Sequence, residues 1–85
     1  MSEPLGVRVK VEDAWDEVFL ELTDTTPLSE LKRQALDRTH VHGNPSEYLI
    51  KYRGAAVDET RSLADAGVVP NAALIVLARR RRAVR

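Results

Sequence analysis

Cysteine is absent from this 85-residue chain. That excludes disulfides, thiolate nucleophiles, zinc–cysteine sites and cysteine-ligated iron–sulfur clusters, and it leaves the redox compartment open. Long apolar runs are missing too. Nothing approaches the ~20 residues that cross a bilayer, so no membrane span is expected. The first residues, Met1-Ser2-Glu3-Pro4, have neither a basic start nor an apolar signal core, and a cytoplasmic location is the expectation. There is no Gly-rich phosphate loop and no internal repeat. Ser2, Ser29, Ser46 and Ser62 read as terminus, helix start, loop and cap, so no nucleophile–base–orienter set can be assembled. His40 and His42 could share a metal only beside a third ligand, and Glu47 is the sole nearby carboxylate. They read as solvated loop residues. No catalysis, metal or cofactor is expected.

What is present fits one small domain. Apolar residues make up 44% and charged residues 31%, a balance that suits a folded soluble chain and not whole-chain disorder. A core of this size is marginal, so nearly every large apolar residue should join it. The formal net charge of zero hides an asymmetry. Five of the thirteen basic residues are Arg79, Arg80, Arg81, Arg82 and Arg85. Residues 1–78 hold eight basic against thirteen acidic side chains, a net charge of −5. The expectation is an acidic body over residues 1–79 with an arginine-rich tail over 80–85.

Val7, Val9 and Val11 alternate with Arg8 and Lys10, the period-two pattern of a half-buried strand. Residues 12–16 are short and polar and read as a hairpin connection. Val18, Leu20 and Leu22 then alternate with Glu17, Phe19 and Glu21 in a second strand. The period changes at Thr26-Pro27, a cap followed by proline at the first helical position. A helix is predicted over about residues 27–38, with Leu28, Leu31, Ala35 and Leu36 on its apolar face and Lys32, Arg33, Asp37 and Arg38 on the other. Residues 48–53 form a third strand ended by Gly54. Residues 55–57 allow only a short strand. Residues 62–66 read as a short helical turn capped by Ser62, with Gly67 at its left-handed close. The last strand covers residues 72–79. One helix would cover one face of a mixed sheet of four to five strands and leave the other face solvated, an α+β fold.

Over residues 5–80 the chain resembles the ubiquitin-like β-grasp family. Asp24-Thr25-Thr26 leads into the helix as in that family. Leu49-Ile50-Lys51-Tyr52-Arg53-Gly54 matches its third strand and glycine turn, Arg61-Ser62-Leu63-Ala64-Asp65-Ala66-Gly67-Val68 its short-helix segment, and Leu74-Ile75-Val76-Leu77 its last strand. Conjugated and sulfur-carrying members end in Gly-Gly, a slim terminus that threads an enzyme channel. Here the matching positions are about Arg82 and Ala83, and no Gly-Gly dipeptide occurs anywhere in the chain. The resemblance thus implies a member that is not conjugated. Lys51 stands where ubiquitin exposes its central isoleucine, so partners reading that residue should not recognise this chain. The chain is also similar in size to small stand-alone bacterial β-grasp proteins, including accessory components of the type VII secretion system.

The resemblance places the last strand between the first and third. The open sheet face would then carry an apolar stripe, Ile75 and Leu77, flanked by Arg8 and Lys10 on one side and by Leu49, Lys51 and Arg53 on the other. An apolar centre with a charged rim suits a protein partner. The plainer reading leaves Ile75 and Leu77 as ordinary strand residues shielded by Lys and Arg stems. Trp15 at the hairpin tip either anchors a partner or folds back over the sheet edge. Arg79, Arg80, Arg81 and Arg82 either form a solvated end or linker, contact an acidic partner or the acidic body, or bind nucleic acid. The last is the minor reading, since the charges are few and no aromatic lies among them to stack bases. The leading expectation is a non-catalytic interaction module, monomeric or weakly dimeric, with a protein partner. The alternatives are a domain cut from a longer, for instance secretion-associated, protein, and a weak nucleic-acid adaptor.

Overall fold

A computed structural model describes residues 3–79. The arginines at 80–82 and 85 lie outside the described residues. In chain order the elements are β1 (Pro4–Val11), a 3-10 turn at Glu12–Ala14, β2 (Asp16–Thr23), α1 (Leu28–Arg38), a 3-10 turn at Pro45–Glu47, β3 (Tyr48–Tyr52), β4 (Ala55–Ala56) and β5 (Ala73–Ala78). They build one mixed five-stranded sheet in the order β2-β1-β5-β3-β4. β1 and β5 run parallel, and every other pairing is antiparallel.

The two alternating segments at the chain start pair in a long hairpin, Pro4 opposite Thr23 through Val11 opposite Asp16. Val7, Val9, Val11 and Leu20 are fully buried. α1 lays Leu28, Leu31, Ala35 and Leu36 on this face, and Ile50, Leu63, Leu74 and Val76 complete the core.

The helix starts one residue later than expected. Thr26 is not its cap, because its Oγ accepts the Thr23 N–H at 3.2 Å and stays within the turn. Pro27 keeps an extended backbone (φ −68°, ψ 149°) and takes the cap position. The free N–H groups of the first turn are covered from elsewhere in the chain. Leu28 N–H donates to the Arg61 carbonyl at 2.9 Å and Ser29 N–H to the Glu59 carbonyl at 3.0 Å. Glu30, in that same turn, is hydrogen-bonded by Arg33 and Gln34, which draws its pKa from 4.5 to about 2. The short capped turn at residues 62–66 is present: Ser62 Oγ accepts the Asp65 N–H at 3.1 Å, Ser62 C=O accepts the Ala66 N–H at 3.0 Å, and Gly67 closes it at φ 79°.

Lys32 departs from its expected place. It lies four residues from both Leu28 and Leu36, in the middle of the buried stripe, and is only 4% exposed. Its ammonium is compensated twice: it meets Glu59 Oε1 at 2.7 Å and donates to the Tyr48 carbonyl at 2.9 Å. One cation thus ties the helix to the start of β3 and to the segment carrying residues 59–61. A nearly buried charge is tolerated only when paired and hydrogen-bonded. Glu59→Ala, which strands the ammonium, should lower unfolding stability in urea by about 2–4 kcal/mol. Lys32→Met/Glu59→Leu, which removes both charges, should recover more than half of that loss.

Candidate protein-interaction face

β5 is flanked by β1 and β3, so its side chains must alternate between the helix-covered face and the open one. Leu74 and Val76 point into the core at 1% and 0% exposure. Ile75 and Leu77 therefore point outward, and both are half-buried. The register fixes their neighbours. Ile75 lies beside Lys10 of β1 and Lys51 of β3. Leu77 lies beside Leu49. Arg8 lies beside Ala73 of β5 and, on the other side, opposite Phe19 of β2. The structure thus brings Arg8, Lys10, Leu49, Lys51, Ile75 and Leu77 onto one face.

This face is a short apolar row between cations. Arg8 and Lys10 are exposed and Lys51 is half-buried. Among the described residues the ion pairs are Lys32–Glu59 and Glu30–Arg33, so neither lysine of the Ile75 row is neutralised by a carboxylate within salt-bridge distance. Such a row combines apolar area with positive charge on both sides.

Arg53 does not belong with the others. β3 ends at Tyr52, and Arg53 enters the turn in a left-handed conformation at φ 58°. Its guanidinium lies 5.5 Å from the centroid of the Tyr52 ring, on a residue whose strand parity is that of buried Ile50. A cation–π contact thus engages Arg53 away from the stripe. Simple strand alternation missed this, because it carries the strand one residue into the turn that Gly54 (φ 82°) completes.

Arg79 is the only member of the arginine run among the described residues. Its N–H continues the β3–β5 pairing to the Glu47 carbonyl at 2.8 Å, and its Nε donates to the Ser46 carbonyl at 2.9 Å. It holds the turn before β3. Arg80, Arg81 and Arg82, also proposed for anionic contacts, lie outside the described residues.

Trp15 is 86% exposed, so the fold-back reading does not hold. It follows the 3-10 turn in a left-handed conformation (φ 52°), with its N–H on the Glu12 carbonyl. The indole is left in solvent. The hairpin is tied down instead by Asp13, whose Oδ2 accepts the Tyr48 hydroxyl at 2.9 Å. His40 also has a left-handed backbone (φ 60°), closing the helix end with its N–H on the Asp37 carbonyl. Among the described residues no three His, Asp or Glu groups converge as a metal site.

A five-stranded mixed sheet grasping one helix, with a parallel pair of terminal strands at its centre, defines a β-grasp domain. No family model matches the sequence, and no curated protein matches it. Solved structures do match. One is a de novo designed protein based on ubiquitin, with a TM-score of 0.79 at 15% identity over 96% of each chain. Another is the ubiquitin of Caldiarchaeum subterraneum, with a TM-score of 0.78 at 13% identity, covering 95% of this chain and 100% of that one. The fold is that of ubiquitin, as the resemblance implied.

The exposure of Trp15 has a direct optical consequence. Its fluorescence should peak where free tryptophan does in water and be quenched by acrylamide nearly as fast. A blue-shifted, protected emission would mean that the indole is covered in solution.

Proposed function

We propose that the chain is a non-catalytic ubiquitin-like interaction module that presents its open sheet face to a protein partner and is not conjugated. The observation that carries this reading is the Ile75–Leu77 row on the central strand, with Lys10 and Lys51 beside it and, among the described residues, no carboxylate within salt-bridge distance of either lysine. The apolar row supplies desolvation at the centre, and the flanking cations supply register and the choice of an acidic partner surface. Lys51 at the centre of the face separates this partner from those that read an apolar residue there. The module's setting would be the cytoplasm.

The test is affinity capture from lysate of the source cells with three baits: the full chain, Ile75→Ser/Leu77→Ser, and a chain lacking residues 80–85. The double variant should lose the captured partner while keeping a cooperative thermal transition. The truncated chain should retain it. Unchanged capture by the folded double variant overturns the proposal, and loss on truncation alone assigns binding to the arginine tail.

A further inference from the structure

The chain between β4 and β5 holds no further strand or helix. Over residues 57–68 its attachments converge on one place, the turn and helix start at residues 24–32. Leu28 and Ser29 N–H donate to the Arg61 and Glu59 carbonyls, and Leu63 and Ala64 N–H donate to the Thr26 and Asp24 carbonyls, all at 2.9 to 3.0 Å. Pro27 and Ser62 form an antiparallel bridge within this set, and Glu59 meets Lys32. The links to the sheet are sparser. Val57 N–H donates to the Ile50 carbonyl at 3.1 Å, and the Tyr52 hydroxyl reaches the Gly67 carbonyl at 3.4 Å.

The segment also holds itself together. The Asp58 carboxylate accepts the Thr60 N–H at 3.0 Å and the Thr60 hydroxyl at 2.7 Å. Arg61 N–H donates to the Asp58 carbonyl at 3.1 Å, and Val68 N–H to the Leu63 carbonyl at 3.0 Å. These bonds need nothing from the rest of the domain. Its packing is thin. Leu63 and Val68 are its only buried residues, and an open recess of about 400 Å³ is lined by Ala56, Val57, Asp58, Arg61 and Ala66. Val69, Pro70 and Asn71, all exposed, lead on toward β5, Asn71 in a left-handed conformation at φ 67°.

A segment with its own local bonds, two buried side chains and a single patch of attachment can leave as a piece. The strands lose little when it does, because β1, β2, β3 and β5 take their ladder partners from one another. Lys32 sets how firmly the segment stays. The ammonium remains with the helix, 4% exposed in the closed form, while its carboxylate partner belongs to the segment. Departure therefore breaks a nearly buried ion pair together with the four backbone bonds, which couples these contacts into one event.

We propose that residues 57–68 are a strap that opens as one unit, with the Lys32–Glu59 pair as its latch. Opening uncovers the helix start, frees the N–H groups of Leu28 and Ser29, and lets Lys32 reach water. The β1–β5–β3 register is untouched, so the Ile75–Leu77 face is the same in both forms. The domain thus has two native forms that differ at the helix start, whatever the role of that face.

The test is native-state hydrogen exchange of the full chain, followed by NMR in rising urea below the unfolding transition. The amides of Leu28, Ser29, Leu63 and Ala64 should share one protection factor. That factor should be at least about tenfold lower than the one for Val9, paired with Val18 inside the hairpin, and it should fall less steeply with urea, because less surface is exposed. Glu59→Ala should speed the four amides about thirtyfold or more, the counterpart in rate of the loss expected in urea. Four unrelated protection factors would overturn the proposal, since there would be no unit. So would a protection factor and urea slope equal to those of Val9, which would mean that the strap leaves only when the whole domain unfolds. Unchanged exchange of the four amides in Glu59→Ala would overturn the latch.

Discussion

The placement of β5 between β1 and β3 constrains everything else in this domain. A strand paired on both edges cannot rotate, so the parity of its residues is fixed by its register. Val11 opposite Val76 on one side and Ile50 opposite Val76 on the other force Val76 into the core. Leu74 follows it inward, and Ile75 and Leu77 are committed to the open face. The same register brings Lys10 and Lys51 to either side of Ile75. A one-residue slip of β5 would turn Ile75 and Leu77 inward and expose Leu74 and Val76. The apolar-and-basic face is therefore a consequence of core packing, and any partner that reads it reads a rigid element.

The chain reaches β5 through the segment after β4, which has little regular structure of its own. It is held by hydrogen bonds to the helix start: Leu63 N–H donates to the Thr26 carbonyl and Ala64 N–H to the Asp24 carbonyl, both at 2.9 Å. Lys32 adds an electrostatic tie through Glu59. Irregular backbone near a core must satisfy its polar groups somewhere. Here it does so by capping the helix, which explains why a helix beginning at proline manages without a side-chain cap.

Much of this was legible in the sequence because the relevant signals are local. Period-two alternation located β1 and β2, and the period of 3.6 with Thr26-Pro27 located α1 to within a residue. The family pattern ordered the strands, and parity then put Ile75 and Leu77 outward. What escaped was long-range or broke a local rule. Lys32 read as solvent-facing because charge usually is, although its spacing from Leu28 and Leu36 put it on the buried stripe. Glu59, its partner, is 27 residues away and carries no sequence mark of the pairing. Arg53 escaped because strand parity fails where φ turns positive.

The register of β5 is the claim on which the open face rests, and an alanine series along that strand tests it most directly. Leu74→Ala, Ile75→Ala, Val76→Ala and Leu77→Ala would each be unfolded in urea. The account predicts a two-fold alternation. Leu74→Ala should cost about 2–5 kcal/mol. Val76→Ala should cost somewhat less, and Ile75→Ala and Leu77→Ala each well under half of the Leu74 value. Equal costs along the strand, or the larger losses at Ile75 and Leu77, would contradict it.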